Sequence, residues 1–318
     1  MGTFRLWSDE IEAMRPEARA VIEAGRESLL MQPKASPDLP VAEQIAHARQ
    51  SIDAVTYASP DAEERVIGGV PCRVFRPDGA PRAIYLHFHG GGMMSGSAKM
   101  MDIPNQMMAK EHGVAVVSVD YRQGPEFPYP AGPDDGVAVA RELVGAAGTE
   151  LGSDRVLIGG ESAGGYMAAA VALRVRDELH AIDRVIGLDL TYGELDWSGN
   201  PSQLGRRPID GFDLLSPDFM RLSQDSYLPD HSEAQRRAPD VSPTYADLRD
   251  LPPCFVSVGT CDHLLDDSLI FASRAVAAGV SVDLLVLPEM PHGFQMFDCQ
   301  MTRHWAAAHS AWIAARLG

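Results

Sequence analysis

Residues 158–167 read IGGESAGGYM, and in this stretch one serine, Ser162, is surrounded by glycines at 159, 160, 164 and 165. A hydroxyl in such a setting can act as a nucleophile if the chain also supplies a base, a carboxylate to orient that base, and N–H groups for the oxyanion created by attack. A lone Gly-x-Ser-x-Gly arises often by chance, so the flanking chain has to decide. HFHGGGMMSG sets His89 ahead of Gly90, Gly91 and Gly92, a backbone without side chains that can present N–H groups. VSVGTCDHLLDD carries Asp262 and VLPEMPHGF carries His292, so the order along the chain is Ser, Asp, His. The plainer reading of Ser162, a glycine-rich packing turn or phosphate cradle, leaves those other motifs unexplained.

The elements that must position these groups follow from hydrophobic periodicity. ERVIGG and VPCRVFRP read as a hairpin, and apolar runs at 83–89, 114–121, 155–160, 185–190, 253–259 and 280–288 read as strands. Helical stretches near 134–147, 164–180, 266–278 and 302–316 separate them. Continuous Val/Ile/Leu runs alternating with helices predict an α/β fold, a mostly parallel sheet flanked by helices on both faces. Residues 1–58 are helical in texture, and 193–245, with Trp197, Phe212 and Phe219 and no strand signature, read as an insertion. The two segments are expected to form a helical cap over a catalytic domain spanning 59–318.

Placed on this frame, Ser162 lies in a sharp strand–turn–helix crossing. Side chains two residues before and after it would collide, which accounts for Gly160 and Gly164. The same turn exposes Oγ at the carboxyl end of the sheet and aims the N–H of Ala163, at a helix N-terminus, toward the developing anion. His89 to Gly92, Asp262 and His292 all fall just past strands. His263 adjoins Asp262, but neighbouring side chains diverge, so His292 is the better base. Glu161 is read as structural support, Cys261 as packing, Asp266 and Asp267 as helix-starting carboxylates, and Met93 and Met94 as lining the substrate pocket.

Composition bounds the partners. The chain has 318 residues, 45% hydrophobic and 22% charged, with a net charge of −17, and no basic cluster suits nucleic acid or an anionic membrane. A neutral or cationic small molecule fits better. The amphipathic start MGTFRLWSDEIEAMRPEARAVIEAG reads as neither signal peptide nor membrane span, which places the protein in the cytoplasm. Cys72, Cys254, Cys261 and Cys299 lack Cys-x-x-Cys or His-rich spacing, so neither a zinc site nor a disulfide framework is expected. No metal or cofactor is called for, and homodimerisation is left open.

Over roughly residues 60–318 the chain resembles the bacterial hormone-sensitive-lipase-like (family IV) carboxylesterases of the α/β-hydrolase superfamily. The likeness is carried by HGGG at 89–92, GESAGG at 160–165, DYRQGPEFPYPA at 120–131 and DHLLDD at 262–267. It implies an α/β-hydrolase fold and a serine hydrolase cleaving short-to-medium acyl esters through an acyl-enzyme. By the same resemblance Ser162 is the nucleophile, His292 the general base, Asp262 the orienting acid, and Gly91, Gly92 and Ala163 the oxyanion donors. Departures are Glu161 for the usual aspartate, Gln123-Gly124 for Leu-Ala, Met93 for tryptophan and His263 for proline. An amidase or formamidase would use the same triad. A non-catalytic binding protein, as the plant gibberellin receptors are, would lack the histidine that His292 supplies.

Overall fold

The computed structural model of the chain describes residues 5–30, 39–205 and 215–318; Phe212 and the stretch 31–38 between the N-terminal helices lie outside them. The strands are β1 (Glu63–Ile67), β2 (Val70–Phe75), β3 (Ile84–Phe88), β4 (Ala115–Val119), β5 (Val156–Glu161), β6 (Val185–Thr191), β7 (Cys254–Gly259) and β8 (Val282–Leu287). They form one sheet in the order β1-β2-β4-β3-β5-β6-β7-β8. β1, β2 and β4 pair antiparallel, and every pair from β4 onward to β8 is parallel.

Both faces are covered, which is why β3, β4 and β7 are buried at every position. Val117, Leu86, Ile158, Leu188 and Val256 face the helices Ala131–Leu143, Ala163–Asp177 and Leu265–Ala277. Their neighbours Val116, Tyr85, Leu157 and Phe255 face the other side, against Ala109 of the helix Asp102–His112 and Trp312 and Ile313 of the closing helix Gln300–Leu317. Burying each such large apolar side chain stabilises the fold by about 1.5–3 kcal/mol. The helical stretch expected near 134–147 breaks at Gly145 into Ala131–Leu143 and Ala146–Leu151.

Register brings the strand ends level: Phe88 lies beside Gly160, Glu161 beside Thr191, and Gly259 beside Leu287. The loops after β3, β5, β7 and β8 therefore emerge along one edge. Two N-terminal helices close on that edge from different sides. The helix Arg15–Leu30 packs Ala18 and Ile22 against Met290, Phe294 and Phe297, and Arg15 and Arg19 pair with Glu289 at 2.5 and 2.9 Å. The helix Val41–Val55 reaches the loop after β3 through Arg49. Between β6 and β7 the helix Pro217–Tyr227 packs inward, with the Tyr227 and Tyr166 hydroxyls 2.9 Å apart and the Trp197 ring 5.4 Å from that of Tyr166. No described helix is long and apolar enough to cross a membrane.

Candidate active site

Ser162 follows β5 and caps the helix Ala163–Asp177 with φ 58° and ψ −121°, a left-handed conformation that costs a non-glycine residue on the order of 1–3 kcal/mol. The surroundings enforce it. The Ser162 N–H donates to the Thr191 carbonyl at 3.0 Å, and its own carbonyl accepts from the Tyr166 N–H at 3.1 Å. A Cβ on Gly160 would sit 2.2 Å from the Phe88 carbonyl oxygen and one on Gly164 only 1.9 Å from it, so β3 and the turn can approach this closely only with glycine at both places.

The three residues read from separate motifs meet at this turn. His292 Nε2 lies 2.9 Å from Ser162 Oγ, and its Nδ1 lies 2.8 Å from Asp262 Oδ2. Asp262 is fully buried, and its other oxygen accepts the Leu264 N–H at 2.9 Å. A buried carboxylate at Nδ1 keeps the proton on that nitrogen and leaves Nε2 to accept from the serine hydroxyl. The Tyr192 ring lies 4.5 Å from the His292 ring and limits its rotation. His263 is buried, with its carbonyl bound by the Ser202 hydroxyl at 2.6 Å; it does not stand between Asp262 and Ser162.

Beside the serine runs the loop after β3. Gly91, Gly92 and Met93 follow one another at φ 125°, 61° and 55°, three residues in the left-handed half of conformational space. Among the described residues no acceptor occupies the N–H groups of Gly91, Gly92 or Ala163. The carbonyls of this loop are bound. Gly90 O accepts from His89 Nδ1 at 2.7 Å, and Gly91 O from the Ser95 hydroxyl and N–H, both at 2.9 Å. Burial brings the His89 pKa down to about 4, so the ring is neutral and the proton on Nδ1 is the one it donates. That ring stacks on Tyr121, with centroids 4.4 Å apart, and the Tyr121 hydroxyl donates to the His89 carbonyl at 2.7 Å.

Two expectations change. Met93 is fully buried in the core, with its Cε and the Met167 sulfur both beside Gly132, and Met94 is buried as well. Neither methionine side chain is exposed to open space as a pocket-lining residue's would be. Phe219 from the helix Pro217–Tyr227 lies there instead, its ring 3.0 Å from where a Cβ on Gly92 would be. Asp267 does more than start a helix. It is fully buried, accepts the Leu195 and Asp196 N–H groups at 2.9 and 2.8 Å, and is bound by the Asn200 and Gln203 amides. It thus ties the segment after β6 to the helix behind Asp262, and burial pushes its pKa up to about 8.

Glu161 holds a structural position. Its carboxylate meets His87 Nε2 at 3.1 Å, and His87 Nδ1 meets the Ser118 hydroxyl at 2.9 Å, a polar row across β5, β3 and β4 under the elbow. On the same face Asp189 accepts from the Tyr85 hydroxyl at 2.8 Å and pairs with His309 at 2.6 Å. Nothing in the spacing of His87 or His309 announces these partners.

A mostly parallel sheet that gathers a serine, a histidine and an aspartate in one hydrogen-bonded row at its strand ends defines an α/β hydrolase. The family model described as alpha/beta hydrolase fold matches residues 85–296. The chain is 36% identical over 258 residues to the carboxylesterase NlhH of Mycobacterium tuberculosis, covering 74% of this chain and 76% of that protein. It is 29% identical over 238 residues to an acetyl esterase of Salmonella schwarzengrund, covering 74% and 72%. Among solved structures it is similar to a hormone-sensitive lipase from a metagenome library, with TM-score 0.78 and 32% identity over 96% of this chain and 98% of that one. A Pyrobaculum calidifontis esterase gives TM-score 0.77 and 27% identity over 90% and 96%. The chain belongs to the hormone-sensitive-lipase-like carboxylesterases, carboxylic ester hydrolases of the α/β-hydrolase fold.

Proposed function

We propose that the chain cleaves short-to-medium acyl esters through an acyl-enzyme on Ser162. The observation that carries this reading is the row Ser162 Oγ, His292 Nε2, His292 Nδ1, Asp262 Oδ2, with contacts of 2.9 and 2.8 Å. His292 takes the hydroxyl proton through Nε2 as Oγ attacks the ester carbonyl, while Asp262 holds the ring and stabilises the imidazolium that forms. The new C–O bond turns the carbonyl oxygen into an oxyanion, which the N–H groups of Gly91, Gly92 and Ala163 receive. Ala163 opens a 15-residue helix, whose positive end favours that charge. Collapse breaks the bond to the alcohol, which leaves with the proton from His292. Water, activated by the same nitrogen, then releases the acid.

The described residues of segments 1–58 and 193–245 act as the cap. Phe219, seated against Gly92, narrows the space beside the serine and favours short acyl chains, in keeping with the acetyl esterase among the similar proteins. The setting is a reducing cytoplasm, supported by Cys72, Cys254 and Cys299 persisting as buried thiols, with burial pushing the first two up to about 12. Whether two copies associate is decided by light scattering on the purified protein. The activity test is a series of p-nitrophenyl esters from acetate to palmitate beside a matched anilide. Fast turnover of the short esters and slow turnover of the anilide are expected; an anilide rate equal to the ester's makes the enzyme an amidase, and a palmitate optimum removes the short-chain pocket.

A further inference from the structure

The carbonyls of the loop after β3 are held from within the loop, from the segment after β4 and from the cap helices. Gly90 and Gly91 are bound within the loop by His89 and Ser95, and Met93 O accepts the Gly124 N–H at 2.9 Å. Two more, those of Gly92 and Met94, are reached from the segments over the sheet edge. Ser223, in the helix Pro217–Tyr227, donates its hydroxyl to Gly92 O at 2.7 Å. Arg49, in the helix Val41–Val55, donates Nε–H to Met94 O and Nη2–H to Gly124 O, both at 2.8 Å, while pairing with Glu126.

Neither contact is incidental. A mid-helix serine ordinarily returns its hydroxyl to the carbonyl four residues back, as Ser226 does to Leu222 at 2.6 Å. Ser223 is buried and turns outward to Gly92 instead. Arg49 spans both strands of the turn, since Gly124, whose carbonyl it binds, is the residue that holds Met93. The carbonyl of one residue and the N–H of the next share a planar peptide and point in opposite directions, so Ser223 at Gly92 O fixes the unit that follows Gly92, and Arg49 at Met94 O fixes the unit carrying the Ser95 N–H, which in turn binds Gly91 O and so orients the Gly92 N–H. A left-handed run of three residues persists only where its surroundings over-determine it.

We propose that the cap completes the oxyanion hole: Ser223 and Arg49, by holding the carbonyls of Gly92 and Met94, are positioning residues that lock the left-handed run and with it aim the Gly92 N–H group at the reacting carbonyl. The inference rests on the catalytic roles proposed above. It makes the rate of the chemical step depend on the cap being seated, beyond any effect of the cap on substrate binding. The contribution belongs to the transition state, where the oxyanion exists, and is absent from the ground state.

The test compares Ser223→Ala, Ser223→Thr, Arg49→Lys and Ser162→Ala in the full chain, each checked for folding by its melting temperature. Ser223→Ala is expected to lose about tenfold in kcat, a fraction of the 10²–10³ that removing a whole oxyanion donor costs. KM should stay near wild type, and affinity for a trifluoromethyl ketone, which forms an oxyanion at the site, should weaken by the same factor as kcat. Ser223→Thr, which keeps the hydroxyl, should recover the rate. Arg49→Lys keeps the charge opposite Glu126 but lacks the Nε–H, and should repeat the pattern at smaller size; if Ser223→Ala does not fold, this variant decides alone. Unchanged kcat and inhibitor affinity, or a loss confined to KM, overturns the clamp while a dead Ser162→Ala leaves the triad standing. Turnover by Ser162→Ala overturns both.

Discussion

The turn at Ser162 and the loop after β3 lie side by side and serve one reaction in the mechanism proposed above, yet they are secured in different ways. The turn is held by the sheet itself: Ser162 is bonded to Thr191 on the adjoining strand, and Gly160 and Gly164 let β3 pass at contact distance. The loop takes two of its holding bonds from helices 45 and 131 residues away in sequence, through Arg49 and Ser223. The turn at Ser162 is therefore built into the sheet, whereas the loop beside it leans on helices that lie outside the sheet. Disturbing the cap should reach the second and spare the first.

The sharpest way to break that contrast is at the serine. Ser162→Ala is expected to fold normally and lose about 10⁴-fold or more in kcat, leaving the residual catalysis of the oxyanion hole and binding. A fluorophosphonate should label the wild type once, at Ser162; label on another serine would send the triad assignment elsewhere. His292→Ala should be comparably inactive, and His263→Ala should keep most of its turnover. A dead His263→Ala would require Asp262 to be reassigned with it.

Smaller effects separate core from cap. Met93→Ala empties a packed site beside Gly132 and Met167, and should cost about 2–5 kcal/mol in urea unfolding while the acyl-length profile stays put. Phe219→Ala should do the reverse, changing stability little and moving the optimum toward longer acyl chains. A profile that shifts with Met93 and not with Phe219 exchanges their places. The smallest effect is acid sensitivity at His89. Its folded pKa is about 4, lowered by burial from 6.5, so between those values the unfolded chain takes up a proton that the folded chain refuses. Stability is then highest above about pH 6.5 and falls by on the order of 3 kcal/mol toward pH 4. His89→Asn, which keeps an N–H donor and does not titrate, should lose less between pH 7 and 4.5; equal losses would clear His89 of the role.

How much could be read from the chain alone follows from where each signal resides. The strands at 83–89, 155–160 and 253–259 declare themselves because burial on both faces leaves an unbroken apolar run. Ser162, Asp262 and His292 stand just past such runs, and around Ser162 local geometry dictates the glycines at 160 and 164. Ser223 and Arg49 carry no such mark, since a serine and an arginine on helices are ordinary until the carbonyl each one meets is known. The burial of Met93 in the core belongs to the closed turn around it, where its φ is 55°, and not to its neighbours in sequence. Asp267 looked like a dipole partner because its spacing from the helix start fits one, while the amides that claim it lie across the fold.

The row of Glu161, His87 and Ser118 beneath the nucleophile has an evolutionary consequence. The carboxylate reaches the neighbouring strand's imidazole because glutamate is one methylene longer than aspartate, and the contact at 3.1 Å leaves no slack for a shorter arm. A descendant that exchanged Glu161 for aspartate would strand a buried ring nitrogen of His87, at a cost comparable to any other unpaired polar group in a core. Positions 161 and 87 are thus expected to drift as a couple through the family, histidine being retained where glutamate stands and lost where it does not, and a lineage that mixes them freely would show that the row carries no selective weight.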